Sequence, residues 1–265
     1  MGILNVTPDS FSDGGLYADA AQAAARGLAI AHQGAEIIDV GGESTRPGSV
    51  RVPAAEQRRR VLHVIERLRG ELPEHARISI DTTLSEVAGP ALSAGASIIN
   101  DISAGREDPA LFDLACERGA ELVLMHMQGA PATMQDDPRY DDVVAEVVAF
   151  LNARAQAAEA AGVPHGKIIL DPGIGFGKTR EHNLALMAHL AEFTRLGYPV
   201  LLGASRKRFM GALLNVPRPS ELVPATCAAT ALGVMAGISI FRVHDVAANR
   251  QAADVAWAIR NAAPA

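Results

Sequence analysis

The chain has 265 residues, of which 49% are apolar and only 4% aromatic, and it carries a net charge of −6 at neutral pH. That length admits one large α/β domain or two smaller ones, with a core built from Leu, Ile, Val and Ala. The acidic balance, with no basic tract or aromatic-interleaved patch, excludes a nucleic-acid partner. No apolar stretch approaches membrane-spanning length, so no membrane contact is expected.

The first residues lack the basic segment and long apolar run of a signal peptide. The chain opens directly in a strand-like run, so an upstream segment is expected to be absent. The two cysteines, Cys116 and Cys227, sit in helix-like contexts. They offer neither a disulfide framework nor a C-x-x-C pair, which points to a reducing, cytoplasmic location. The one tight basic run, Arg58-Arg59-Arg60, reads as the solvated face of a helix.

In chain order, a strand is predicted at 3–6, leading into a loop dense in Asn, Asp, Ser and Gly, then an Ala-rich helix at 18–33. A second strand at 36–40 delivers the loop Asp-Val-Gly-Gly-Glu-Ser-Thr-Arg-Pro-Gly at 39–48, and a helix follows at 54–69. Strands at 77–81, 97–100 and 122–125 precede a long helix at 142–161. Strands at 168–171, 199–203 and 239–243 and a helix at 247–261 complete the chain. The helical segments place apolar residues three and four apart. The strands are apolar without alternation, as parallel strands buried on both faces require. Eight strand–helix units in this length define a single (β/α)8 TIM barrel over 1–265, for which ~250 residues is typical. An open doubly wound sheet is the runner-up, but it needs a glycine-rich nucleotide loop after its first strand.

Polar residues fall at one end of these strands. Asn5, Asp39, Asp81, Asn100, His126, Asp171, Ser205 and Arg242 all lie at or just past a strand's C-terminal end. Any one of them could be a helix cap or turn residue. Eight together mark the C-terminal rim, where barrel enzymes carry their active sites. The loop Asp-Pro-Gly-Ile-Gly-Phe-Gly-Lys-Thr at 171–179 is not a phosphate loop, because Pro172 stands where the first glycine is needed. It reads either as a βα turn or as an Asp followed by a close-approach glycine loop. The segment 203–209 brings three cations to a predicted helix start, either an anion site or a solvated turn. Strand alternation places Arg242 and His244 on one side of the last strand, which favours an anionic substrate. There is no His-Glu-x-x-His and no Gly-x-Ser-x-Gly. Met125 and Met127 read as packing groups, and Trp257 as core or interface.

The ordered segments 1–15, 41–48, 79–83, 99–103, 124–129, 171–178, 205–207 and 242–245 together resemble the dihydropteroate synthase family over essentially the whole chain. The resemblance implies a transferase of folate biosynthesis. In that reaction p-aminobenzoate displaces diphosphate from (7,8-dihydropterin-6-yl)methyl diphosphate, through loss of diphosphate and a pterin methyl cation. It implies Mg²⁺ as cofactor with Asn5 as its protein ligand. Asp81, Asn100, Asp171 and Lys207 are implied as pterin contacts, with Met125 and Phe176 as apolar walls. Thr45, Arg46, Arg242 and His244 are implied at the diphosphate, and Phe11, Thr45 and Pro47 near aminobenzoate. Asp81, Arg46, Lys207, Arg242 and His244 are the residues implied to act in catalysis. A homodimer through the late helices is implied as well. Arg208 stands where some family members have Ser beside the aminobenzoate carboxylate, so sensitivity to sulfonamides, which target this family, is not legible here.

Two other readings share parts of this pattern. A barrel methyltransferase acting between methyltetrahydrofolate and a corrinoid protein would use Asp81, Asn100 and Asp171, but not the Ser-Thr-Arg-Pro-Gly or Ser-Arg-Lys segments. A non-catalytic pterin-binding paralog is expected to lose loop residues such as Asn5 or Arg46, and both are present.

Overall fold

The computed structural model describes residues 1–6, 15–44 and 48–262, with side chains from residue 20 onward in the first helix. Among the described residues eight strands are formed: β1 (Gly2–Asn5), β2 (Ile37–Gly41), β3 (Arg77–Asp81), β4 (Ile98–Asp101), β5 (Glu121–Met125), β6 (Ile168–Asp171), β7 (Leu201–Leu202) and β8 (Ile240–Phe241). β1 through β6 pair in chain order as one sheet, and β7 pairs with β8. Both seams are closed by parallel bridges, Leu170 with Val200 and Gly2 with Val243. The N–H of Leu170 donates to Pro199 O at 2.9 Å, and that of Ile3 to Val243 O at 3.0 Å. Eight parallel strands thus run around a complete circle, the (β/α)8 barrel expected from the sequence.

Alternation within the apolar runs divides the core. Ile38, Val40, Ile78, Ile80, Ile99, Leu122, Leu124 and Leu170 point outward, and the helices cover them. Ile37, Ile98, Val123, Ile169 and Leu201 point inward and fill the lower barrel. Side chains two residues further along β2, β4 and β6, at Asp39, Asn100 and Asp171, are polar yet buried. The barrel is therefore dry and apolar below and charged above, with the change made within one period of each strand.

The surrounding helices are α1 (Gly15–His32), α2 (Ala54–Glu71), α3 (Ser85–Ala94), α4 (Ala110–Arg118), α5 (Val143–Ala160), α6 (Arg180–Ala188), α7 (Leu190–Thr194), α8 (Arg208–Leu214), α9 (Val223–Ala236) and α10 (Val246–Ala262). Their ends follow local chemistry. Asp142, expected as the first helical residue of α5, is its N-cap and accepts the N–H groups of Val144 and Ala145, each at 3.0 Å. Thr179 and His182 form a capping box at the start of α6. Strands β7 and β8 are shorter than expected, and Val200 and Val243 beside them take part only in the bridges that close the barrel.

Two sequence readings that left alternatives open are narrowed. Trp257 is 62% exposed on α10, so it is not part of this chain's core. Of the three cations at 206–208, Arg206 turns away from the barrel mouth. It pairs with Asp245 through Nε at 2.8 Å and Nη2 at 2.5 Å, so only Lys207 and Arg208 remain available at the start of α8.

Candidate active site at the C-terminal rim

The ends of β2, β3, β4 and β8 bring Asp39, Asp81, Asn100 and Arg242 into one network. Arg242 donates from Nε to Asp39 Oδ2 at 2.6 Å and from Nη2 to Asp81 Oδ2 at 2.7 Å. Asn100 Nδ2 donates to the same Asp39 oxygen at 3.2 Å. Both carboxylates are buried, with Asp39 1% and Asp81 7% exposed. Burial raises the Asp81 carboxyl well above its ordinary range. Arg242 opposes that rise and the neighbouring Asp39 charge adds to it. Burial works against the Arg242 charge, but Asp39 and Asp81 outweigh it and hold the guanidinium ionised.

Across the mouth, Asp171 ends β6. Its Oδ1 accepts the Gly173 N–H at 2.7 Å, and burial pushes its carboxyl up to about 6. Lys207, the residue before α8, sets its Nζ 4.1 Å from the centre of the Phe176 ring, a cation–π contact. Burial, helped by the Arg242 charge, brings Lys207 down to about 8. Phe176 packs with Met125, Met127, Ile102 and Met134 as an apolar wall. Flat apolar surface therefore lies beside a carboxylate, an amide and two cations.

The glycine loop after β6 is held by an unforeseen residue. Lys178 is buried, and its Nζ donates to Gly173 O at 2.9 Å and Phe176 O at 3.0 Å, with His126 Nδ1 also at 2.9 Å. Burial lowers its pKa to about 7, and burial with the nearby Lys178 charge lowers His126 to about 3. Gly173 has φ of +66°, and a Cβ there would lie 1.9 Å from His126 O. No other residue type fits that turn. A lysine in a glycine loop gives no sequence signal of burial. Asp39 did give one, its place at a strand end, but nothing linked it to Arg242.

The other expected residues fall as follows. Asn5 ends β1 in register with Gly41. A Cβ on Gly41 would lie 3.8 Å from Asn5 Oδ1 and 3.7 Å from Asp81 Oδ2. His244 Nδ1 is 2.9 Å from Ser205 Oγ, and that oxygen also accepts the His244 N–H at 3.1 Å. Phe11, Thr45, Arg46 and Pro47 lie outside the described residues. The base of the second loop is nevertheless fixed: Glu43 accepts from Val52 N at 2.7 Å and from Gln57 Nε2 at 3.1 Å. Glu43 thus anchors its loop to α2. A cavity of about 890 Å³ lies at the opposite end of the barrel, beside Glu36, Arg77 and Trp257. None of Asp39, Asp81, Asn100, Asp171, Lys207 or Arg242 lines it, which sets it apart from this chemistry.

A parallel barrel with this rim defines a class: an enzyme that takes a flat, hydrogen-bonding ring bearing an anionic group. Residues 1–244 match the model of the family described as pterin binding enzyme. The chain is 46% identical to dihydropteroate synthase of Synechocystis sp., over 98% of this chain and 89% of that protein. It superimposes with a TM-score of 0.91, at 46% identity, on Xanthomonas albilineans dihydropteroate synthase with 4-aminobenzoic acid, covering 100% of this chain and 93% of that one. A second structure of the Xanthomonas albilineans protein, in complex with 7,8-dihydropteroate, gives a TM-score of 0.88 at 44% identity, covering 100% and 94%. The chain belongs to the dihydropteroate synthase family of pterin-binding enzymes.

Proposed function

We propose that the chain condenses p-aminobenzoate with (7,8-dihydropterin-6-yl)methyl diphosphate, giving 7,8-dihydropteroate and diphosphate in folate synthesis. The observation that carries this reading is the juxtaposition of Asp171, Asn100, Asp81, Lys207 and Arg242 around an apolar wall at the strand ends. The pterin edge presents a ring N–H beside an amino group. Ionised Asp171 accepts both in a paired, charge-assisted contact. Asn100 and Asp81 take further ring positions, Lys207 donates to a ring acceptor, and Met125 and Phe176 line its faces.

In the reaction the bond between the pterin methylene carbon and diphosphate breaks, and its electron pair leaves with diphosphate. The aminobenzoate nitrogen then bonds to that carbon and releases a proton. Buried Asp81 stabilises the cation that develops on the pterin, because fixed charge acts strongly where water is scarce. Arg242 lies against the ring and reaches toward phosphate, a double task for which a planar guanidinium is suited. His244 together with Thr45 and Arg46 completes the diphosphate contacts, and Phe11, Thr45 and Pro47 border the aminobenzoate.

Mg²⁺ fits these residues. No group of three His, Cys, Asp or Glu side chains able to hold a metal occurs among the described residues. A hard ion held chiefly by diphosphate and water needs little more than one protein oxygen. The amide oxygen of Asn5, at the end of β1, would supply it. When bound, the ion neutralises charge on the leaving group.

We further propose a cytoplasmic homodimer through α9 and α10. These helices pack on each other and expose Leu232, Met235, Val255 and Ile259, apolar side chains of the kind that mark an interaction face where they are contiguous. Light scattering that gives a monomer mass at working concentration would remove the dimer. No helix among the described residues is long and apolar enough to cross a membrane.

The decisive experiment measures diphosphate release from the pterin substrate with Mg²⁺, with and without p-aminobenzoate. Release that requires aminobenzoate, with dihydropteroate formed, is the expected result. Tight pterin binding without turnover would favour the non-catalytic pterin-binding paralog. The pH profile gives a second check. Asp171 must be ionised to accept both ring donors, and Asp81, raised further by burial, to stabilise the cation, so kcat/KM for the pterin falls as pH drops from neutrality through about 6. Lys207 must be charged, so it falls again as pH rises through about 8. A profile flat from about pH 5 to about pH 9 would take Asp171 and Lys207 out of the ring contacts.

A further inference from the structure

Asp39 has no part in the reaction as derived above, yet it is the most enclosed carboxylate of the Arg242 network, at 1% exposure. Everything its side chain bonds to is a proposed ring contact. Its Oδ2 serves Arg242 from β8 and Asn100 from β4. Its Oδ1 has no hydrogen-bond partner among the described residues, and neither does Oγ of Ser79, the residue beside it in register on β3. A buried carboxylate with one oxygen unpartnered carries a desolvation cost, and a whole buried ion pair is a poor device for stability, since packed apolar side chains of similar volume would serve as well.

We infer that Asp39 is a positioning residue that sets Arg242 and Asn100 in the geometry that receives the pterin; this rests on the pterin-binding reading of the site. Arg242 is shared between two carboxylates, and Asp81 is the one the ligand must use. By taking Nε, Asp39 keeps the guanidinium from settling wholly on Asp81 and fixes the plane against which a ring can stack. An acceptor-only carboxylate also decides which end of the Asn100 amide points inward. Nδ2 goes to Asp39, which leaves Oδ1 and the second N–H for the ligand.

The test uses the full chain and its Asp39→Asn, Arg242→Met and doubly substituted variants. It measures calorimetric binding of the pterin diphosphate substrate with Mg²⁺, KM for each substrate, and thermal unfolding. Asp39→Asn keeps the volume and removes the charge that orients both neighbours. The expected result is pterin binding weaker by about tenfold or more, an aminobenzoate KM within about threefold of the parent, and a Tm close to the parent's, because Arg242 keeps its pair with Asp81. In the Arg242→Met background the same substitution should add less than about threefold, because Asp39 acts largely through Arg242. Parent-like pterin binding by Asp39→Asn would overturn the inference. So would a loss that persists undiminished without Arg242, or one that comes with a lowered Tm and a general decline in both KM values. A parent protein that binds no pterin would instead overturn the reading of the site itself.

Discussion

Asp171→Asn is expected to lower kcat/KM for the pterin substrate by about 10³-fold or more while making the ligand-free protein more stable. The functional loss follows from pairing. An amide presents a donor where the ring also presents one, and a site built to hydrogen-bond its ligand discriminates severely when a partner is wrong. The gain in stability follows from burial. The native carboxyl titrates at about 6 instead of the ordinary 3.8. Between those values the folded state binds more protons than the unfolded chain, so stability falls as pH rises through that window. Above it the ionised group costs about 2–3 kcal/mol, already net of the nearby Lys207, Arg242 and Lys178 charges. Removing the charge should raise Tm by several degrees at pH 8 and by less at pH 5. Calorimetric scans at the two pH values, beside steady-state kinetics, check both halves. Pterin binding within tenfold of the parent would remove Asp171 from the ring edge.

Arg242→Met should act in the opposite sense on stability. The substitution keeps most of the volume but leaves Asp39 and Asp81 buried side by side with no cation between them. Breaking a buried ion pair in this way costs about 3–5 kcal/mol, which for a domain of this size lowers Tm by roughly 10 °C at pH 8. The deficit should shrink toward pH 6. Asp81 already has a raised pKa, Arg242 is what holds it down, and without that charge the folded state takes up a proton more readily. Activity should fall by about 10³-fold, since stacking, phosphate contact and the orientation of Asp81 are lost together. An unchanged Tm at pH 8 would show that the guanidinium does not compensate the two carboxylates. The two substitutions therefore separate the roles of buried charge here: Asp171 is kept at a cost to the fold, whereas Arg242 serves both fold and site.

Much of this was legible in the chain. The strands at 77–81 and 168–171 carry the boundaries read from the sequence, because short β-branched runs closed by an aspartate leave little choice of register. The polar residue at each strand end marked the rim before any contact was known. The loop bases and the glycine turn were less legible, since their meaning depends on what lies opposite. Glu43 sits in the most recognisable loop of the sequence, yet it ties that loop to Val52 and Gln57. Lys178 had no role assigned from the sequence, and it is buried against carbonyls from its own loop and His126 from the neighbouring strand end.

Composition and periodicity by themselves determined the barrel, its eight strands and the end at which chemistry occurs. Those features depend on contacts between chain neighbours and on the alternation of side chains along a strand, and both are written locally. Only the tertiary structure decided which charges meet. Asp39 and Arg242 are 203 residues apart and 2.6 Å distant, brought together because β8 returns to close the circle beside β1. Spacing along a sequence carries no record of that closure, and in a dry barrel mouth the identity of the partner decides whether a charge is stabilised or left costly.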